Sequence, residues 1–221
     1  ASLLAASLSL VLFPALAEAW GRGDKQLFRT QTDQATRVLV LAMVTVFGSM
    51  ILSSRLIMSL WGSEFDASTL VFPLLLLAIL ASNTATASVN AMATRSKKLM
   101  QLSSGASLIG LAVGALVWLF AIPSLGIVGI AVGYLVGTFV GALVPLVTEW
   151  RIGGHRWGRL LARAIVGLVT LTGLFIAERA AGIPIVAEPL VALLFCLIWW
   201  GLSRNDLRLL PRRHRTTPSS D

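Results

Sequence analysis

Long apolar runs separated by short polar gaps recur down the whole chain. A bilayer core about 30 Å thick needs roughly 20 apolar residues at 1.5 Å rise per residue. Seven stretches approach or reach that length: residues 2–19, 38–60, 70–93, 99–122, 127–148, 160–177 and 183–202. The pattern predicts an all-α, polytopic membrane protein of about seven transmembrane helices, forming one bundle over residues 1–203. The last span is the weakest, because Glu188 and Pro189 interrupt its outer end. It is expected to tilt, to pack against protein or to lie partly in the interface.

The gaps predict the connections. Residues 20–36 form the longest polar stretch inside the bundle, and their Arg, Lys, Gln and Asp content suits an amphipathic or a flexible connector. The links at 61–68, 123–126 and 178–184 are short, which makes neighbouring helices antiparallel hairpins. Residues 204–221 turn to Arg, Pro, Ser and Thr. Such a composition buries too little surface to order itself, so a disordered tail is expected.

Composition agrees with the runs. The 221 residues are 56% hydrophobic and 13% charged, whereas soluble domains carry about 25% charged residues. A net charge of +8 could point to nucleic acid, but its distribution argues otherwise. Arg22, Lys25, Arg29, Arg37, Arg95, Lys97, Lys98, Arg151, Arg156, Arg159, Arg163 and the tail arginines occupy alternate gaps, and the intervening gaps hold only Arg55 and Arg179. By the positive-inside rule the first set is cytoplasmic, which places the N-terminus outside and the C-terminus inside. No nucleic-acid partner is expected; attraction to anionic membrane lipids is. Cys196 is the one cysteine and lies inside the last apolar run, so no intramolecular disulfide forms. The stretch from Pro14 to Ala19 has the small residues of a signal-peptide cleavage site but no basic segment before it, and a transmembrane helix is preferred.

Polar and small residues inside the runs are the candidates for function. Gly129, Gly133, Gly137 and Gly141 repeat at i, i+4, and Gly110 with Gly114 forms a shorter ladder. Small residues at this period let helix backbones approach closely in lipid, and two smooth faces can also slide. Asn83, Thr86 and Asn90 share a helix face. They must look toward other helices or a wet cavity. Arg55 lies near the outer end of the second run, where it can snorkel to the interface or meet a substrate phosphate. Pro14, Pro73 and Pro145 are possible kinks.

Several chemistries lose support. Glu18, Glu149 and Glu178 all fall at span ends, so no intramembrane proton relay is visible. No metal-ligand cluster, cofactor motif or nucleophile with an adjacent base stands out, and no enzymatic activity is expected. His155 and His214 fall in basic gaps and are expected to be solvated. A retinal protein needs an intramembrane Lys, whereas Lys25, Lys97 and Lys98 lie outside the apolar cores. A membrane-embedded glycan enzyme would have to use Glu64, Asp66 or Glu188 on the outer side. A non-transporting scaffold would depend on the glycine ladder alone.

Three stretches carry a family resemblance: Leu60-Trp-Gly-Ser-Glu-Phe-Asp-Ala67, Ile122-Pro-Ser-Leu-Gly-Ile-Val-Gly-Ile-Ala131 and Pro14-Ala-Leu-Ala17. In order and spacing they resemble the C-terminal half of bacterial polysaccharide and oligosaccharidyl-lipid flippases of the multidrug/oligosaccharidyl-lipid/polysaccharide (MOP) superfamily, over residues 3–151. The resemblance implies a two-bundle transporter of fourteen spans whose first bundle precedes this chain. It also implies a lipid-linked sugar as substrate and alternating access in a bacterial cytoplasmic membrane. The helix before the Ile-Pro hairpin has Gly, Ala, Val and Trp118 where related sequences often carry Asn, so no site residue is transferred from the family. Arg55, Asn83, Thr86 and Asn90 are the substrate-pathway candidates from the residues themselves.

Overall fold

The computed structural model describes residues 2–62 and 69–207. Among them there is no strand: helices α1 (Ser2–Gly21), α2 (Lys25–Leu52), α3 (Ser54–Ser59), α4 (Val71–Arg95), α5 (Lys97–Leu125), α6 (Ile127–Gly153), α7 (Gly158–Ala180) and α8 (Glu188–Leu207) follow one another. Six apolar segments, five of them α2 and α4 to α7 and the sixth Ile185–Arg204 at α8, are long enough to cross a membrane, and α1 contributes a shorter one from Ser9 to Gly21. The chain is an all-α, multi-pass membrane protein.

The bundle is organised around α2, which packs on α1, α4, α7 and α8. Its Phe28, Leu39, Met43, Phe47 and Leu52 are at most 2% exposed and meet Leu16 of α1, Leu76 of α4, Leu171 of α7 and Phe195 of α8 in one core. Hydroxyls along α2 are satisfied inside the helix: Thr32, Thr36, Thr45 and Ser49 each donate to the carbonyl four residues back. Polar side chains therefore enter an apolar core without an orphaned donor. On the other side of α4, α5 and α6 form a tight hairpin whose outer surface is apolar, with Leu108, Leu119 and Phe120 well exposed. Such a surface suits hydrocarbon.

Local chemistry sets the helix ends. Asp24 caps α2 by accepting from Leu27 N at 2.9 Å. Ser96, in extended backbone, ends α4 and caps α5. Gly126 makes the whole link between α5 and α6 with φ 56° and ψ −130°, a conformation open only to glycine without strain. Gly154 closes α6 in the left-handed region.

Four sequence expectations change. The stretch 20–36 is not a connector: only a turn at 22–24 separates α1 from α2, whose first three turns bury Phe28, Thr32, Ala35 and Thr36. The run 38–60 is broken at Ser53, and α3 continues it as a separate short helix. Pro123 lies within α5 and not in the hairpin link. The last helix begins at Glu188 instead of 183, after a 3-10 turn over Ile185–Ala187. Glu188 and Pro189 thus open a helix near the start of the apolar segment, where an acid suits the helix N-terminus and proline breaks no helical hydrogen bond. Pro73 likewise sits in the first turn of α4. Residues 208–221, with His214 and four tail arginines, lie outside the described residues, as do Glu64 and Asp66.

Candidate functional site

The glycine ladders meet each other. A Cβ on Gly114 would lie 2.8 Å from the Gly133 carbonyl oxygen, and one on Gly137 would lie 2.5 Å from that of Gly110. Gly129 faces the Ala121 carbonyl in the same way, and Gly133 also abuts the Trp118 ring. Gly141 differs, with 3.6 Å to the Ala106 carbonyl, an ordinary contact. Trp118 Nε1 donates to Ile130 O at 2.8 Å across this interface. The α5–α6 seam is therefore backbone against backbone, the close approach that small residues permit in lipid.

Beside the seam runs a cleft of about 320 Å³ between α4, α5 and α6. Its polar lining is Ser82 of α4, Ser103 and Ser107 of α5, and Tyr134 and Thr138 of α6, with Trp118 at one end. The lining runs along α5 from Ser103 to Trp118 and along α6 from Gly133 to Pro145, within segments long and apolar enough to cross a membrane. Ser107 Oγ bonds back to Ser103 O at 3.4 Å. The hydroxyls of Ser82, Ser103, Tyr134 and Thr138 form no hydrogen bond among the described residues. Ser82, Ser107 and Tyr134 are exposed, so the cleft is open along one side.

The sequence candidates are not gathered there. Asn83 is buried and its Nδ2 lies 3.7 Å from Met43 Sδ of α2. Asn90 Nδ2 donates to Ser9 Oγ of α1 at 3.1 Å. Thr86 is half-buried on the same helix. The polar run of α4 is thus split: its Asn residues hold α1 and α2, while Ser82 turns to α5 and α6. Two signals for the cleft were present in the sequence, the i, i+4 pairs Ser103/Ser107 and Tyr134/Thr138, both set among apolar and small residues.

Arg55 does not line this cleft; it is held in a separate charge cluster. Its Nε donates to Glu188 Oε1 at 2.5 Å and its Nη2 to Ile183 O at 2.6 Å, with Glu178 Oε1 at 3.4 Å. Glu188 Oε2 also accepts from Leu56 N at 3.0 Å. Arg179 joins the cluster through Ser54 Oγ at 3.0 Å. Glu178 and Glu188 are essentially unexposed, and the two lone arginines of the sequence pattern are the partners that make their burial tolerable. Glu188 is thereby committed to an ion pair.

A second cluster closes the opposite end. Glu149, fully buried, accepts from Arg95 Nη2 at 2.6 Å and lies 3.1 Å from His155 Nε2. Arg95 covers the faces of Trp20 and Phe28 at 5.5 and 4.8 Å. His155 is therefore not solvated: it is 5% exposed and stacked on Trp157 with ring centroids 4.4 Å apart. Trp157 Nε1 donates to Asp33 Oδ1 at 2.7 Å, and Arg29 donates to the Gly154 carbonyl. These bonds tie the three basic gaps together at one end of the bundle.

No family model, curated protein or solved structure matches the chain.

Proposed function

We propose that the chain is one bundle of a membrane transporter that moves a lipid-linked oligosaccharide, or a polysaccharide precursor, across a bacterial cytoplasmic membrane by alternating access. The observation that carries this reading is the open, hydroxyl-lined cleft between α4, α5 and α6. Unsatisfied polar groups within such apolar segments are costly against lipid, so the cleft looks onto a second bundle or a water-filled path. Hydroxyl side chains that both donate and accept suit sugar hydroxyls, and Trp118 and Tyr134 offer ring faces to the apolar side of a sugar. The lipid tail stays in the bilayer while the headgroup follows the cleft. The three motifs that resemble the flippase family point to the same class. The basic end faces the cytoplasm by the positive-inside rule, which puts the Arg55 cluster outside. In this mechanism the α5–α6 seam moves as one rigid piece, and the cleft changes its opening against the opposing bundle.

The test is transport of a fluorescent lipid-linked oligosaccharide by the full-length protein in sealed vesicles. A Ser107→Leu, Thr138→Leu double variant fills the cleft while leaving every ladder glycine in place, and translocation should fall roughly tenfold or more, the effect of about 1.4 kcal/mol. Unimpaired transport by that variant removes the cleft from the pathway. Failure of the unmodified protein to move any sugar lipid removes the class.

A further inference from the structure

We infer that the groove between the first turns of α2 and α7 holds the phosphate of an anionic membrane phospholipid. This site lies away from the cleft and does not depend on the transport reading. The groove, about 1090 Å³, is lined on α2 by Arg29 and Arg37 and on the α7 side by Arg156, Arg159 and Arg163. Its one acid, Asp33, is already engaged through both oxygens: Oδ2 accepts from Arg37 Nε at 2.7 Å and Oδ1 from Trp157 Nε1 at 2.7 Å. Among the described lining residues five arginines face this one acid, and Arg156 and Arg159 are exposed at the mouth of the groove. Trp157 supplies no side-chain cap to α7, and Gly158 lines the groove. The first backbone N–H groups of a 23-residue helix thus add to the arginines in favouring an anion. Guanidinium groups pair with phosphate oxygens through two parallel hydrogen bonds.

Depth and surroundings identify the phosphate as a lipid's. A helix of 23 residues spans about 34 Å, slightly more than the hydrocarbon core. The first turn of α7 therefore sits at headgroup level. Arg159, Arg163 and Val166 share one face of α7. Val166 is 48% exposed and the neighbouring Val169 is 66% exposed. An acyl chain can lie along this apolar strip while its phosphate occupies the groove. A soluble phosphate has no use for the strip.

The experiment titrates the full chain, purified in neutral detergent, with fluorescent phosphatidylglycerol, phosphatidylcholine, inorganic phosphate and pyrophosphate. Phosphatidylglycerol should bind saturably and the other three at least tenfold more weakly. An Arg156→Gln, Arg159→Gln variant should lose roughly tenfold in affinity for phosphatidylglycerol, as expected for removal of charge-assisted contacts. A Lys97→Gln, Lys98→Gln variant removes the same charge from the same end outside the groove and should lose less than twofold. Equal losses in the two variants would reduce the site to general surface attraction and overturn the inference. Binding of phosphate or pyrophosphate as tight as that of the lipid would overturn its lipid character. Should the groove variant fail to fold, the unmodified chain decides: phosphatidylglycerol must raise its unfolding midpoint above that in phosphatidylcholine, and no difference counts against the site.

Discussion

Substituting alanine at two positions of one glycine ladder should have sharply unequal effects on stability. A methyl group on Gly137 would stand 2.5 Å from the Gly110 carbonyl oxygen and 3.1 Å from Gly114 Cα. Both are backbone atoms of α5, so no side chain can swing away to make room. Ordinary contact begins at about 3.4 Å, and α5 and α6 must part by about 0.9 Å. A gap of that size forfeits a quarter to a half of each dispersion contact along the seam. It also pulls on the Trp118 to Ile130 hydrogen bond. Overpacking of this kind typically costs about 1–3 kcal/mol. Gly141 is one turn further along the same face, yet its added methyl would find the Ala106 carbonyl at 3.6 Å. Gly141→Ala should be neutral or stabilising by up to about 1 kcal/mol, the difference in helix propensity. Equilibrium unfolding in mixed detergent micelles with an increasing fraction of denaturing detergent reads both. A Gly110→Ala, Gly137→Ala double variant should cost less than the sum of its parts, because one separation relieves both clashes. The reasoning fails if Gly137→Ala is neutral, or if Gly141→Ala loses as much as Gly137→Ala.

Two further outcomes follow from the buried charges and the hairpin. Arg95→Met leaves buried Glu149 with His155 as its remaining side-chain partner among the described residues and should cost about 3–5 kcal/mol. Adding Glu149→Leu should recover most of that loss in the same unfolding measurement, and no recovery would mean that the pair is not what holds this end. Gly126→Ala forces a side chain onto φ 56°, ψ −130° and should destabilise by about 1–3 kcal/mol. Gly105→Ala, with open space around its added methyl, should lose nothing.

Much of the helical layout was legible in the sequence, and the misreadings have physical reasons. The first turns of α2 looked like a connector because one of their faces is basic. Phe28, Thr32 and Thr36, all buried at i, i+4 spacing, carried the amphipathic signal beneath it. The break at Ser53 was hidden because no Gly or Pro adjoins it in the run; the Arg55 charge cluster anchors the chain there through Ser54, Arg55 and Leu56. His155 looked solvated because it falls in a basic gap between apolar runs. Its burial comes from Glu149 on one side and the Trp157 ring on the other. The cleft was half legible, since its serine and threonine pairs stand out once the glycine seam shows which sides of α5 and α6 face each other.

The sequence by itself determined the solvent, the helical class and the sharing of basic residues among alternate gaps. A bilayer permits only segments of a certain length that satisfy their own backbone hydrogen bonds, and that constraint is local enough to read from a string of letters. Tertiary structure alone decided which charges meet, across 133 residues for Arg55 with Glu188 and 54 for Arg95 with Glu149. It also decided which faces of α4 hold the bundle together and which face opens into the cleft. Those choices depend on where partner helices sit, and packing in lipid selects partners by shape and by buried polar pairing, neither of which is written in any single run.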